Sequence, residues 1–399
     1  MDSRQVLVVF IPKRYTSLVR NPLTQSITYR NKPMTNDELL SKTISWLRFP
    51  LIVGVVFIHT NLTKKGVIIQ GVAHEIQDAT YYYALTNFFS EVLARIAVPL
   101  FFIISGFLFF YHTDFDAQTY KRKLKSRART LLIPYLIWNF MAFLYATIKY
   151  LPAFHSVFPG LVDYPFTLQN FFPEVFWAKT NSIECIRFYP LDGPFWYVRE
   201  LMVMVIFTPV VYWLIKKVKW IPVLAFGVLW YIGILGEGNV PGACTVAMFF
   251  FSVGAYLSIN KINPLTFLSK LQWLPLLYLV MAIADTVTKG ASYNTHIHKM
   301  GILVGILSCF LLAANGLKSG RLNTNKFLSE GSFFVFAAHG LFVGDMWKVL
   351  FVIVKPSSAI SYTIIYFLTA IITTALCLFV YRLLKRYLPR VAAVVTGGR

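Results

Sequence analysis

The stretch Ser45–Thr60, SWLRFPLIVGVVFIHT, limits the fold more than any other part of the chain. With its flanking residues it is long and apolar enough to cross a bilayer as a helix. Yet it carries Arg48 near its start and His59 near its end. On a helix these lie roughly 16 Å apart, at about 1.5 Å rise per residue. Ionisable groups at membrane depth are costly, which makes both of them candidate functional residues. The plainer reading has Arg48 snorkelling to the headgroups and His59 resting at the far interface.

Apolar runs of the same kind recur at about 43–60, 96–110, from Leu131, from Leu191, and at 220–236, 244–259, 272–287, 299–316, 332–353 and 358–381. The residues are 57% hydrophobic and only 14% charged, against about a quarter charged in an ordinary soluble domain. The expected fold is all-α: a polytopic membrane protein of about ten transmembrane helices. The net charge of +21 does not point to nucleic acid, because the cations sit in alternate short connections. These include Lys121–Arg129, Lys216 to Lys219, Lys261 with Lys270, Lys318 to Lys326, and Arg382 to Arg390. The positive-inside rule places those connections and both termini in the cytosol, for a multi-pass protein of the inner cell membrane. The expected organisation is a basic cytosolic arm over 1–42, a transmembrane domain over 43–385 and a cytosolic tail over 386–399. The arm is basic enough to lie on anionic headgroups, and nothing in it reads as a cleavable signal peptide.

Four further motifs carry chemistry. Span two reads VPLFFIISGFLF, with Pro99 expected to kink it. Its Ser105 and Gly106 are explained on their own by helix packing. Before span three runs RARTLLIPYLIWN, with Arg127 and Arg129 at its start. Span four opens on LDGPFWYVREL, in which Arg199 and Glu200, as helical neighbours, are expected to point to different sides rather than at each other. Span nine contains His339 followed by Gly340. Glu91 and Arg95, four residues apart, are placed to pair.

Taken in order, these motifs resemble the acyltransferase-3 family of bacterial membrane O-acyltransferases over about residues 43–385, and most of all its polysaccharide-modifying branch. The resemblance rests on Arg48 with His59, on Ser105-Gly106-Phe107, on the arginines before Pro134 and on Trp196 to Glu200. Many members space the arginine pair one residue wider, so the choice between Arg127 and Arg129 stays open. The implied function is transfer of an acyl group, most commonly acetyl in the family, from cytosolic acyl-CoA to a hydroxyl of a cell-surface or lipid-linked glycan. Arg48, Ser105, Gly106, Arg127, Arg129 and His339 form the expected donor-binding group. Guanidinium forks suit the phosphates of coenzyme A. His59 is the expected base, since imidazole titrates near neutrality. Glu200 is expected to orient it, and Arg199 to stabilise developing negative charge. Direct transfer is preferred to an acyl-enzyme. Acyl-CoA is a co-substrate, with no permanently bound cofactor. The other partners are a sugar or glycolipid acceptor and membrane lipids, with a homodimer among the open oligomeric options. The alternative is a glycan or small-solute transporter or flippase.

Other features carry less. His296 and His298 lack the further ligands of a metal site. The cysteines Cys185, Cys244, Cys309 and Cys377 are scattered, and a Cys185–Cys244 disulfide is left open. Asn61-Leu62-Thr63 fits a glycosylation sequon. The long aromatic loop at 151–192 reads as an interfacial lid.

Overall fold

The first long helix starts where the sequence can cap it. Thr35 Oγ1 accepts from the Glu38 amide at 3.2 Å, and Glu38 Oε2 accepts from the Thr35 amide at 2.9 Å. This reciprocal box starts α1 at Asn36, ahead of the expected 43, and α1 then runs unbroken to Thr60. The structure is a computed structural model that describes residues 34–61, 67–69, 72–74, 80–150, 171–177, 179–180 and 188–398. Most of the amino-terminal arm, the sequon beyond Asn61, Cys185 and most of the 151–192 lid lie outside the described residues.

The described chain is helical apart from two short antiparallel hairpins. Five more helices are long and apolar enough to span: α2 (Thr80–Phe110), α3 (Ala117–Lys149), α11 (Asn294–Lys318), α12 (Lys326–Val354) and α13 (Ala359–Tyr387). Between α3 and α11 come α4 (Phe171–Phe176), α5 (Trp196–Ile206), α6 (Thr208–Val218), α7 (Ile221–Ile232), α8 (Thr245–Ile259), α9 (Pro264–Leu268) and α10 (Leu274–Val287); α14 (Pro389–Val395) closes the chain. The segment Gly193–Ile206 meets α6 at a 60° bend, and the two together pass as a seventh, broken span. The helices α7, α8 and α10 occupy expected spans but have 12, 15 and 14 residues. At about 1.5 Å per residue they fall short of a hydrocarbon core about 30 Å thick. By length, therefore, six or seven spans are found among the described residues, and the expected count of about ten is not confirmed.

The expected kink at Pro99 takes a different form. A proline lacks the N–H for its turn and crowds the carbonyl four residues back. Here α2 passes through π turns at Asn87–Leu93 and a 3-10 turn at Ala94–Ile96 just before Pro99. That irregular segment packs on α1. Ser90 Oγ donates to the Phe57 carbonyl at 2.5 Å and lies 2.6 Å from the Tyr366 hydroxyl, tying α1, α2 and α13 together two residues from His59. At its other end, α2 lies against α8 with backbones nearly touching. A Cβ on Gly106 would stand 2.1 Å from the Phe251 carbonyl oxygen, and one on Gly254 would stand 2.0 Å from that of Ile103. In the segment expected as the cytosolic tail, α14 docks on α3, with Trp138 Nε1 donating to the Val395 carbonyl at 2.9 Å.

Candidate active site

Helix α1 carries its two polar residues to two different environments. Arg48 lines a cavity of about 180 Å³ together with Arg127, Ser105, Tyr197, Ser332 and Phe336. Arg48 and Arg127 come from α1 and α3 and lie close enough for their charges to interact. Ser105 Oγ lies 3.2 Å from the Tyr197 hydroxyl, so α2 and α5 meet at the cavity wall. Arg129 is exposed and is not part of this lining. Gly106 is turned toward α8, where its missing side chain permits the close approach described above. Of the residues expected to bind the donor, the structure therefore gathers Arg48, Ser105 and Arg127, and leaves Arg129 and Gly106 apart.

About three turns along α1 from Arg48, the His59 ring packs against His339 of α12, with centroids 5.2 Å apart and planes tilted by 51°. His339 is 0% exposed. Its Nδ1 lies 2.7 Å from the Phe336 carbonyl and 3.1 Å from that of Val335. Carbonyls only accept, so Nδ1 carries the hydrogen, and the neutral ring keeps its lone pair on Nε2. That Nε2 is buried and has no hydrogen-bond partner among the described residues. Phe336, one turn below His339, touches its ring and also lines the Arg48 cavity. The imidazole pair thus adjoins that cavity through Phe336.

Arg199 and Glu200 correct the expectation that neighbours on a helix face apart. Arg199 Nε and Nη2 both donate to Glu200 Oε1, at 3.0 and 2.9 Å. The pair is 1% and 2% exposed. Burying two charges is tolerable only when their remaining hydrogen-bonding groups are also met. Here Arg199 Nη1 reaches the carbonyls of Trp177 and Phe188. Glu200 accepts from the Gly242 and Cys244 amides at 2.8 and 3.3 Å. The long side chains curl toward each other because three separate segments converge on them. This cluster staples those segments to α5, and none of its bonds brings Glu200 or Arg199 to the His59 imidazole.

Asp192 was missed by the motif reading. It stands at an N-cap position before Gly193–Phe195, yet its side chain makes no capping bond. It is 2% exposed, and both carboxylate oxygens lack a partner among the described residues. Its amide is held by Asn139 Oδ1 at 3.0 Å. The carboxylate lies against the backbone of α12 at Gly340, where a Cβ would come within 2.7 Å of Oδ1. The glycine after His339 therefore makes room for this acid. The visible signal was Asp-Gly-Pro ahead of a span, which reads as a routine helix cap.

A second, larger cleft of about 490 Å³ opens at the His59 end of α1, beside Ile58 and Trp196. The pairing expected of Glu91 and Arg95 is present in its wall, with bonds of 3.2 and 2.8 Å. His296 and His298 turn to different partners, the Tyr231 hydroxyl at 2.8 Å and Asp285 at 2.7 Å. Among the described residues, no group of three metal-ligating side chains is found. Cys244 is buried and is a free thiol.

Comparison with known proteins adds an independent finding. A family model described as an acyltransferase domain matches residues 42–382. The succinoglycan biosynthesis protein ExoH of Rhizobium meliloti (strain 1021) is 26% identical over 378 residues, which is 91% of this chain and 94% of that protein. No solved structure matches.

Proposed function

This chain belongs to the acyltransferase family whose model spans residues 42–382, and from that premise we propose that it moves an acyl group from cytosolic acyl-CoA to a hydroxyl of a surface or lipid-linked glycan. Family membership makes it an enzyme and sets aside the transporter alternative. The likeness to a succinoglycan biosynthesis protein supports a glycan as acceptor. Positive-inside placement of the charged connections supports an inner-membrane location with the Arg48 end toward the cytosol.

The observation that carries this reading is that one helix, α1, brings Arg48 to a cavity shared with Arg127 and brings His59 against His339, whose neighbour Phe336 lines that same cavity. Arg48 and Arg127 hold the phosphates of the nucleotide end. The pantetheine arm rises past Ser105 and Phe336 toward His59 and His339. His59 takes the proton from the acceptor hydroxyl as that oxygen attacks the thioester carbonyl. The new C–O bond forms, the C–S bond breaks, and the thiolate leaves with the proton returned by the imidazolium. His339, fixed by its two carbonyl bonds, holds the neighbouring ring in place and offers Nε2 to the reacting groups. Arg199 and Glu200 shape the site as a staple rather than meeting substrate, and Gly106 serves helix packing.

Mass spectrometry of surface glycans from a strain lacking this protein tests the proposal. One sugar is expected to lose one acyl mass, regained on complementation. An unchanged glycan contradicts it.

A further inference from the structure

The cleft at the His59 end of α1 is walled by Trp196, Trp230, Arg95, Glu237, Asn239 and His298. We infer that this cleft seats a sugar ring of the acceptor, stacked on indole and held at its edges by these planar polar groups; the inference rests on the acyl-transfer reading. Its volume lies in the range of roughly 300–1,000 Å³ usual for small-molecule sites.

The chemistry of the wall narrows the ligand class. Glu91 and Glu237 stand in it, so a polyanion such as a nucleotide is disfavoured. A hydrocarbon tail would take these charged and polar groups out of water while offering them no hydrogen bond. A sugar satisfies both demands. Its C–H faces pack on aromatic rings, and its hydroxyls donate to carboxylates and accept from guanidinium and amide groups.

The polar groups are also held in place before any ligand arrives. Glu91 fixes Arg95 through two bonds. The Tyr189 hydroxyl donates to Glu237 Oε1 at 3.1 Å. Asp285 holds His298 by Nδ1 at 2.7 Å. Trp230 is braced by Phe249, with stacked centroids 5.4 Å apart. Such fixed rotamers reduce the entropy lost on binding. The cleft also adjoins the chemistry, because Ile58 in its wall precedes His59, and Trp196 in its wall precedes Tyr197 of the Arg48 cavity.

The test uses full-length protein in lipid nanodiscs. The probe is the producing strain's surface glycan, de-esterified with mild base, cut to oligosaccharides and fluorescently end-labelled. Glu237→Gln, a loop substitution that leaves the helices untouched, and Trp230→Ala are each expected to weaken oligosaccharide binding at least ten-fold. Binding of radiolabelled acetyl-CoA by the same variants is expected to stay at the wild-type value. Trp230→Phe is expected to restore part of the loss, which separates stacking from folding. Wild-type oligosaccharide affinity in both Glu237→Gln and Trp230→Ala overturns the inference, as does absence of oligosaccharide binding by the wild-type protein. Loss of binding in the variants, with no acyl transfer by the wild type from any thioester, keeps the sugar site and overturns the acyl-transfer reading instead.

Discussion

Helix α5 begins with Trp196 in the wall of one cavity and Tyr197 in the wall of the other, yet the two spaces are built from opposed chemistry. The Arg48 cavity is smaller, and its charged lining is Arg48 and Arg127, without a carboxylate. The cleft beyond His59 is larger and mixes Glu91 and Glu237 with Arg95, His298 and Lys299. In the proposed reaction the first space takes the polyanionic donor and the second a polyol of little charge. A protein meeting two such substrates in one low-dielectric interior gains by keeping them apart until they reach the reacting group. The imidazole pair, one ring from α1 and one from α12, adjoins both: Phe336 of the Arg48 cavity touches His339, and Ile58 of the cleft precedes His59.

Substitutions at the imidazole pair and in the Arg48 cavity should separate these roles. The largest effect is expected at the pair. His59→Ala should lower acyl transfer about 10²- to 10⁴-fold, the usual contribution of a general base, while donor binding persists. Full transfer by a folded His59→Ala protein, read by radiolabelled acyl incorporation, would remove the imidazole from the mechanism.

Next come the guanidiniums. Arg48→Ala and Arg127→Ala should each raise the donor Kd about 10- to 100-fold, since a charge-assisted hydrogen bond contributes about 1.5–3 kcal/mol. Arg129→Ala, at an exposed position, should change it little. Equal effects at 127 and 129 in equilibrium binding would blur the distinction between the cavity and the surface.

Asp192→Asn probes the buried acid beside Gly340. The amide keeps the volume, and a buried carboxylate without a partner is costly, so thermal stability should hold or rise. Transfer should fall about ten-fold if the acid meets substrate. Wild-type kinetics with raised stability would make Asp192 a bystander.

The smallest effect on chemistry, and a clear one on folding, is expected at Gly106. A methyl there meets the Phe251 carbonyl oxygen at 2.1 Å. Overpacking of this kind costs about 1–3 kcal/mol, read as a lowered Tm, with donor affinity retained in the folded fraction. Ser105→Ala, one residue away in the cavity wall, should reverse the pattern. Equal Tm losses at both positions would show that wall and packing face are not distinct.

Much of this was legible in the sequence, because membrane spans announce themselves by apolar length and polar residues inside them are conspicuous. Arg48 and His59 were visible on those grounds, whereas Ser105 and Arg127 were singled out through the family resemblance. The number of spans was less legible. Hydropathy marks an apolar helix but not whether 12 to 15 residues of it cross alone, as α7, α8 and α10 illustrate. The Arg199–Glu200 staple was hidden because neighbour geometry on an isolated helix ignores the three segments that converge on the pair. His339 was noticed, but its contact with His59 is a tertiary fact between helices far apart in sequence. Asp192 was hidden by its resemblance to a common cap, and only the absence of the capping bond reveals it.

The proposed division of the two cavities requires that the donor come from the Arg48 face. Membrane vesicles of both orientations, carrying this protein and its de-esterified glycan on both sides, can be given radiolabelled acyl-CoA from outside only. Inverted vesicles, which expose the Arg48 end, are expected to incorporate label into glycan, and right-side-out vesicles are expected to incorporate none until permeabilised. Equal incorporation by sealed vesicles of either orientation would contradict the division of labour between the two cavities.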